Sequence, residues 1–180
     1  MDDPVELDSG HAFRMRSAQD AFRKLHRELQ RYKSGTERVD RIDAAINFAI
    51  TAWHLTDWVW IIHKNRLTRE LGVSSLNSSQ DLMKQRCRSL SVCDVIANAA
   101  KHGGVAKQRP DRPNVETILV AHPIDGGGSI ELFGARDNRR WTLKIRIDGR
   151  SEHAGDLLRV VDNFWHRFIQ AHCIDLAPPE

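Results

Sequence analysis

The residues best placed to do chemistry stand at the end of one apolar helical segment, Cys93-Asp94-Val95-Ile96-Ala97-Asn98-Ala99-Ala100-Lys101-His102-Gly103. Asp94, Asn98 and His102 are spaced i, i+4 and i+8, so a helix puts a carboxylate, an amide and an imidazole on one stripe, with Lys101 beside them. Such a set can orient a substrate and move a proton, with His102 as the acid or base. The negative end of the helix dipole favours the protonated imidazole at that position. The same stripe also reads as a solvated helix edge, on which Lys101 and His102 are cationic partners of the C-terminus and nothing more.

A second group lies in the apolar stretch from Ala44 to Ile62, where polar side chains are sparse. At about 100° per residue, Asp43, Asn47, Thr51 and His54 fall within about 40° of one line, and Asp57 lies about 80° from Asn47. His54 and Asp57 form an i, i+3 carboxylate–imidazole pair that further ligands from another helix could turn into a metal site. No HExxH or similar metal signature accompanies them, and a hydrogen-bonded core histidine is the plainer reading. The sharper expectation is that this seam faces Asp94, Asn98 and His102 and that the two groups line one pocket. Asn47, His54, Asp57 and Lys101 would then be its substrate contacts.

The elements that must hold these groups follow from hydrophobic period. Apolar residues at spacings of three and four predict helices over about 11–33, 37–66, 80–102 and 152–173. Thr36, Ser78 or Ser79, and Ser151 are the expected N-caps, and Gly103-Gly104 the stop of the third helix. Between the third and fourth helices the period falls to two. Strands are expected over about 116–122, 129–135 and 140–148, joined by Asp125-Gly126-Gly127-Gly128 and Asp137-Asn138-Arg139 into an antiparallel meander. The expected fold is α+β, a four-helix bundle with the meander before the last helix. Residues 1–10 read as a loose leader, 11–174 as a single domain, 107–113 as a basic connector and 175–180 as a frayed tail.

Composition agrees with one ordinary globular domain. The chain has 180 residues with 41% hydrophobic content, which excludes a collagen-like or wholly disordered chain. Cys87, Cys93 and Cys173 form no CxxC pair, so three buried thiols in a reducing, cytoplasmic setting are expected rather than a zinc site. The acidic start MDDPVELDSG lacks the features of a secretory signal. The Ala44–Ile62 stretch carries Asn47, His54 and Asp57, so it fits a bundle's central helix and no membrane span. Trp53, Trp58 and Trp60 are expected to pack on the core. Net charge is only +3, but 20 of the 27 basic residues are Arg, whose planar fork suits phosphate and carboxylate; a GC-rich coding sequence would produce the same skew.

The run Ala52-Trp53-His54-Leu55-Thr56-Asp57-Trp58, together with Asp94-x-x-Ala97-Asn98-x-x-Lys101-His102-Gly103, resembles an uncharacterised family of small bacterial proteins. The end of that helix is similar to the HEPN superfamily of helical-bundle ribonucleases, whose motif pairs an Arg with a His a helical turn or two later. Asn98-x-x-x-His102 matches the second half, while positions 95 to 97 hold Val95, Ile96 and Ala97 where the Arg would stand. The resemblance covers roughly residues 40 to 105. It implies an intracellular, RNA-directed, metal-independent and cofactor-free ribonuclease of a defence or toxin–antitoxin system. His102 would be the acid/base, Asn98 and Lys101 the phosphate or ribose contacts, and Asp94 the orienting group. It also implies a homodimer and an antitoxin or other defence-system partner. The missing Arg implies an alternative, a catalytically inactive HEPN-like homodimeric binding or regulatory module. A small-ligand sensor using the polar seam is a third reading.

Overall fold

Ser17 begins the first helix, because its hydroxyl oxygen accepts from the Asp20 backbone N–H at 3.0 Å and satisfies one of the donors a helix start leaves open. The computed structural model describes residues 17–101, 113–123, 130–132, 135–137 and 139–173. The leader, residues 11–16 of the first expected helix, His102, the glycine stop, most of the basic connector and the tail lie outside the described residues. Those described form five helices and two small antiparallel sheets, an α+β arrangement as expected.

Helix α1 (Ala18–Ser34) buries Ala18, Ala21, Leu25, Leu29 and Tyr32, the three-and-four spacing that one apolar face requires. Helix α2 (Arg38–Leu71) has 34 residues, about 51 Å of helix, and buries Phe48, Ala52, Leu55 and Val59 along its inner side. Glu37, not Thr36, stands at its N-cap, with no side-chain cap bond. The helix also runs past its expected end, since no breaker occurs until Gly72, whose left-handed φ of 69° closes the C-terminus. His63 (φ −117°, ψ 16°) kinks it on the way.

The third expected helix, 80–102, is two helices. Ser75 caps α3 (Leu76–Arg86) in a reciprocal capping box with Ser78, so the cap lies earlier than Ser78 or Ser79. Cys87 then adopts an extended conformation (φ −140°, ψ 91°) and its carbonyl accepts from Leu90 N at 2.9 Å, starting α4 (Arg88–Lys101). Met83, Cys87, Leu90 and Cys93 all stay in the core across the break. Apolar spacing therefore carries no trace of it.

The meander expectation also needs correction. β1 (Val115–Pro123) pairs directly with β4 (Arg139–Ile147), from Val115 opposite Ile147 to Pro123 opposite Arg139. The expected middle strand is a separate hairpin, β2 (Ile130–Leu132) with β3 (Ala135–Asp137). The sheet's third member is β5 (Arg150–His153), reached from β4 through Asp148 and Gly149 at φ 48° and 82°, a two-residue turn with both centres left-handed. Ser151 therefore lies in a strand opposite Arg146, and His153 is the N-cap of helix α5 (Ala154–His172). Leu143 and Ile145 of β4 join Leu158, Val161 and Trp165 of α5 in the same core cluster as the helices.

At its far end α5 is clasped to α2. Arg66 Nε donates to Glu70 Oε1 at 2.8 Å, Arg66 Nη2 donates to the Ala171 carbonyl at 3.2 Å, and His172 Nδ1 lies 2.9 Å from Glu70 Oε2. Hydrogen bonds from His172 and then Arg66 hold the Glu70 carboxyl below the ordinary carboxylate range. A carboxyl so depressed adds stability above its unfolded value, about pH 4, and loses it as pH falls through the lower folded one. Glu70→Gln is accordingly expected to flatten the acid limb of a urea-derived stability–pH curve below about pH 4; an unaltered limb would show that the clasp is idle.

Candidate functional site

Helix α4 carries the first group. Asp94 is buried, at 2% exposure, and Asn98 on the next turn is half-buried. Asn98 Nδ2 donates to the Asp94 carbonyl at 2.8 Å and to Asp94 Oδ1 at 2.6 Å. An amide nitrogen has two hydrogens, and both are used on Asp94. Asn98 can therefore still accept a hydrogen bond through its oxygen but has no donor left for a phosphate. Lys101, the last residue of α4, is exposed at the negative end of the helix dipole. Val95 and Ile96 are half-buried, Ile96 against the core, and Ala97 is buried.

The polar seam of α2 divides between two neighbours. Toward its start, Thr51 Oγ1 donates to the Asn47 carbonyl at 2.7 Å and accepts from Lys24 Nζ of α1 at 2.6 Å. Asn47, Asp43 and Asp40 line a shallow cleft of about 400 Å³ with Glu28 and Arg31 of α1. Glu28 is buried and accepts from Arg31 Nη1 at 3.1 and 3.2 Å, with Lys24 Nζ 3.6 Å away. Toward the other end, Gln80 Nε2 of α3 donates to Asp57 Oδ1 at 3.0 Å and to Thr56 Oγ1 at 3.1 Å. His54 lies between these ends and is exposed.

Six of the seven residues singled out in the sequence are described, and they fall into separate places, while His102 lies outside the described residues. Asp94 and Asn98 are joined, Asn47 borders the α1 cleft, and Asp57 is tied to α3. The cleft's lining includes neither Asp94 nor Asn98. Trp53, Trp58 and Trp60 pack half-buried against the core, with Lys84 Nζ 5.7 Å from the Trp53 ring. The three cysteines are buried and form no disulfide with one another, and burial pushes the Cys87 and Cys93 thiols up, which keeps both protonated and unreactive.

One polar cluster escaped sequence reasoning. His26 of α1 directs Nδ1 at both oxygens of Asp162 of α5, at 3.2 and 3.3 Å. Because a carboxylate only accepts, Nδ1 carries the proton between them, and Nε2 lies 3.1 Å from Gln30 Nε2. The Phe22 ring is stacked on the His166 imidazole with centroids 5.8 Å apart at 24°, and lies tilted at 6.4 Å from the His26 ring. The available signal was Asp162 itself, an acid beside the core positions Leu158, Val161 and Trp165, where an unpartnered charge would be costly. Glu28 among Leu25, Leu29 and Tyr32 is the same signal on α1.

No family model, curated protein or solved structure matches this chain. Among the described residues, no three His, Cys, Asp or Glu side chains group as metal ligands, and no helix is long and apolar enough to cross a membrane.

Proposed function

We propose that this protein is an HEPN-like, RNA-directed binding module in which the α4 motif holds the helix together and does not cut RNA. The observation that carries the reading is the closed pair in α4: both Asn98 N–H groups are committed to Asp94, a carboxylate at 2% exposure. A nuclease motif needs donors aimed at the phosphate whose charge builds in the transition state. Here the amide has none left, and half-buried Val95 and Ile96 and buried Ala97 stand where the resemblance would set the Arg. RNA as the partner comes from the resemblance of the two sequence runs, as do the homodimer, the defence setting and the four-helix HEPN-like reading of the bundle.

The purified chain is expected to retain a fluorescein-labelled single-stranded RNA in a mobility-shift assay and to leave it uncut over hours, with His102→Ala behaving alike. Cleavage that His102→Ala abolishes would restore the metal-independent ribonuclease reading. Failure to bind RNA at all would remove the RNA reading itself.

A further inference from the structure

Helices α1, α3, α4 and α5 all pack on α2, yet α2 keeps one apolar side uncovered. From Ala44 to His63 its only Asp, Glu, Lys or Arg is Asp57, so the side that leaves the core is not given over to charge. Ile61 is 72% exposed and Ile62 41%, and half-buried Trp58 stands three and four residues before them, a spacing that makes the three neighbours on the helix surface. A lone exposed apolar side chain is ordinary, whereas a contiguous group on one side of a helix is what a docking face presents.

Two charges beside this group indicate what docks. Asp57 and Lys64 stand about 10 Å apart along the helix and within about 20° of one line, both on the same flank of Ile61. The kink at His63 does not turn Lys64 inward, because Val59, His63 and Leu67, four apart, are all buried and Lys64 is exposed. Asp57 accepts from neutral Gln80 and Thr56, and neither Asp57 nor Lys64 forms an ion pair among the described residues. A two-fold axis across the helix beside Ile61 lays a second α2 antiparallel on the first and exchanges positions 57 and 64. Each Asp57 then meets the partner's Lys64, Ile61 meets its own copy, and Trp58 meets the partner's Ile62 on the other flank.

We propose that this side of α2 is a homodimer interface, with two copies packed α2 on α2 in antiparallel, Ile61 at the two-fold axis and Asp57–Lys64 ion pairs along one flank. The homodimer of the reading above gains a face here, argued from α2 itself and independent of RNA. A nucleic acid fits this side badly, since between Arg41 and Lys64 the helix has no Lys or Arg while Asp43 and Asp57 are acids. An anionic lipid surface fits badly for the same reason. Another protein's apolar helix would cover the isoleucines, but the two charges flanking Ile61 are complementary to themselves, and a second copy satisfies both at once.

The test is sedimentation velocity of the full chain, without RNA, over a range of concentrations, with each variant's fold checked by circular dichroism. The wild type should dimerise. Ile61→Glu sets two like charges against each other at the axis, on a position that solvent already reaches, and should raise the dimer dissociation constant by more than about a hundredfold. Val160→Glu, at a 48% exposed apolar position of α5, should leave it unchanged. Asp57→Lys and Lys64→Asp should each weaken the homodimer about tenfold, and mixing the two variant chains should restore a dimer of wild-type strength, because every reversed charge then meets its opposite. A dimer that Ile61→Glu leaves intact, or that Val160→Glu breaks equally, keeps the homodimer and overturns this face. Charge-reversed chains that do not recover on mixing overturn the antiparallel two-fold. A wild type that stays monomeric throughout overturns the second copy and leaves the RNA reading to the mobility shift.

Discussion

Trp165→Ala is expected to lower the unfolding free energy by about 4 kcal/mol, the largest loss of any single change considered. The side chain is fully buried in α5, edge-on to Phe164 at 5.3 Å and to Phe168 at 5.7 Å, so truncation opens a cavity that rigid ring neighbours cannot fill. In urea this is a shift of about 2 M in the midpoint, for an m-value of about 2 kcal/mol/M. Trp165→Phe separates two causes. The indole N–H has no hydrogen-bond partner among the described residues, and removing an unsatisfied buried donor returns about 1–3 kcal/mol. The phenylalanine variant should therefore lose less than half of what the alanine variant loses. A phenylalanine loss close to the alanine loss would mean that the N–H is satisfied in solution and that its hydrogen bond, not ring volume, sets most of the cost.

That residue also shows why the helices were legible. Leu157, Leu158, Val161, Trp165, Phe168 and Ile169 recur on one face of α5, and the same period marks α1 and α2, because each helix buries one stripe against a common core. Where burial and period part company, the reading failed. The turn at Cys87 keeps Met83, Cys87, Leu90 and Cys93 buried while redirecting the chain, so periodicity passes straight through it. Strand β5 is the opposite case: Arg150, Ser151, Glu152 and His153 are all exposed, and only the Asp148-Gly149 dipeptide announces the hairpin. The sheet order β1-β4-β5 was hidden because adjacency in sequence favoured 129–135 as the neighbour of β1, whereas Ile130–Leu132 pair with Ala135–Asp137 instead.

The site divides in the same way between local and distant. Asp94 and Asn98 meet because residues four apart on a helix must, and spacing alone announces the contact. What spacing could not announce is its direction: the amide turns inward to a buried acid instead of outward to a ligand. The His26–Asp162 bridge spans 136 positions of sequence, and no local pattern joins its ends. A buried acid on an apolar face shows that a partner exists without showing which.

The direction of the Asn98 amide makes stability the decisive measurement at α4. Asn98→Ala is expected to cost about 2 kcal/mol, because it strips a charge-assisted hydrogen bond from a carboxylate that water barely reaches. Asp94→Ala removes the charge itself and leaves a neutral, half-exposed amide that water can serve, so its loss through this pair should be smaller. In a double-mutant cycle the two changes should be non-additive by about 1.5 kcal/mol or more, since each removes the same bond. A residue held for catalysis behaves differently: replacing it often leaves stability unchanged or raised, while activity collapses. A structural amide gives the reverse, a destabilised fold with the RNA-binding constant of the folded fraction intact. Should Asn98→Ala unfold no more easily than the wild type while losing an RNA-directed activity, the pair is a poised part of a site and the architectural reading of α4 fails.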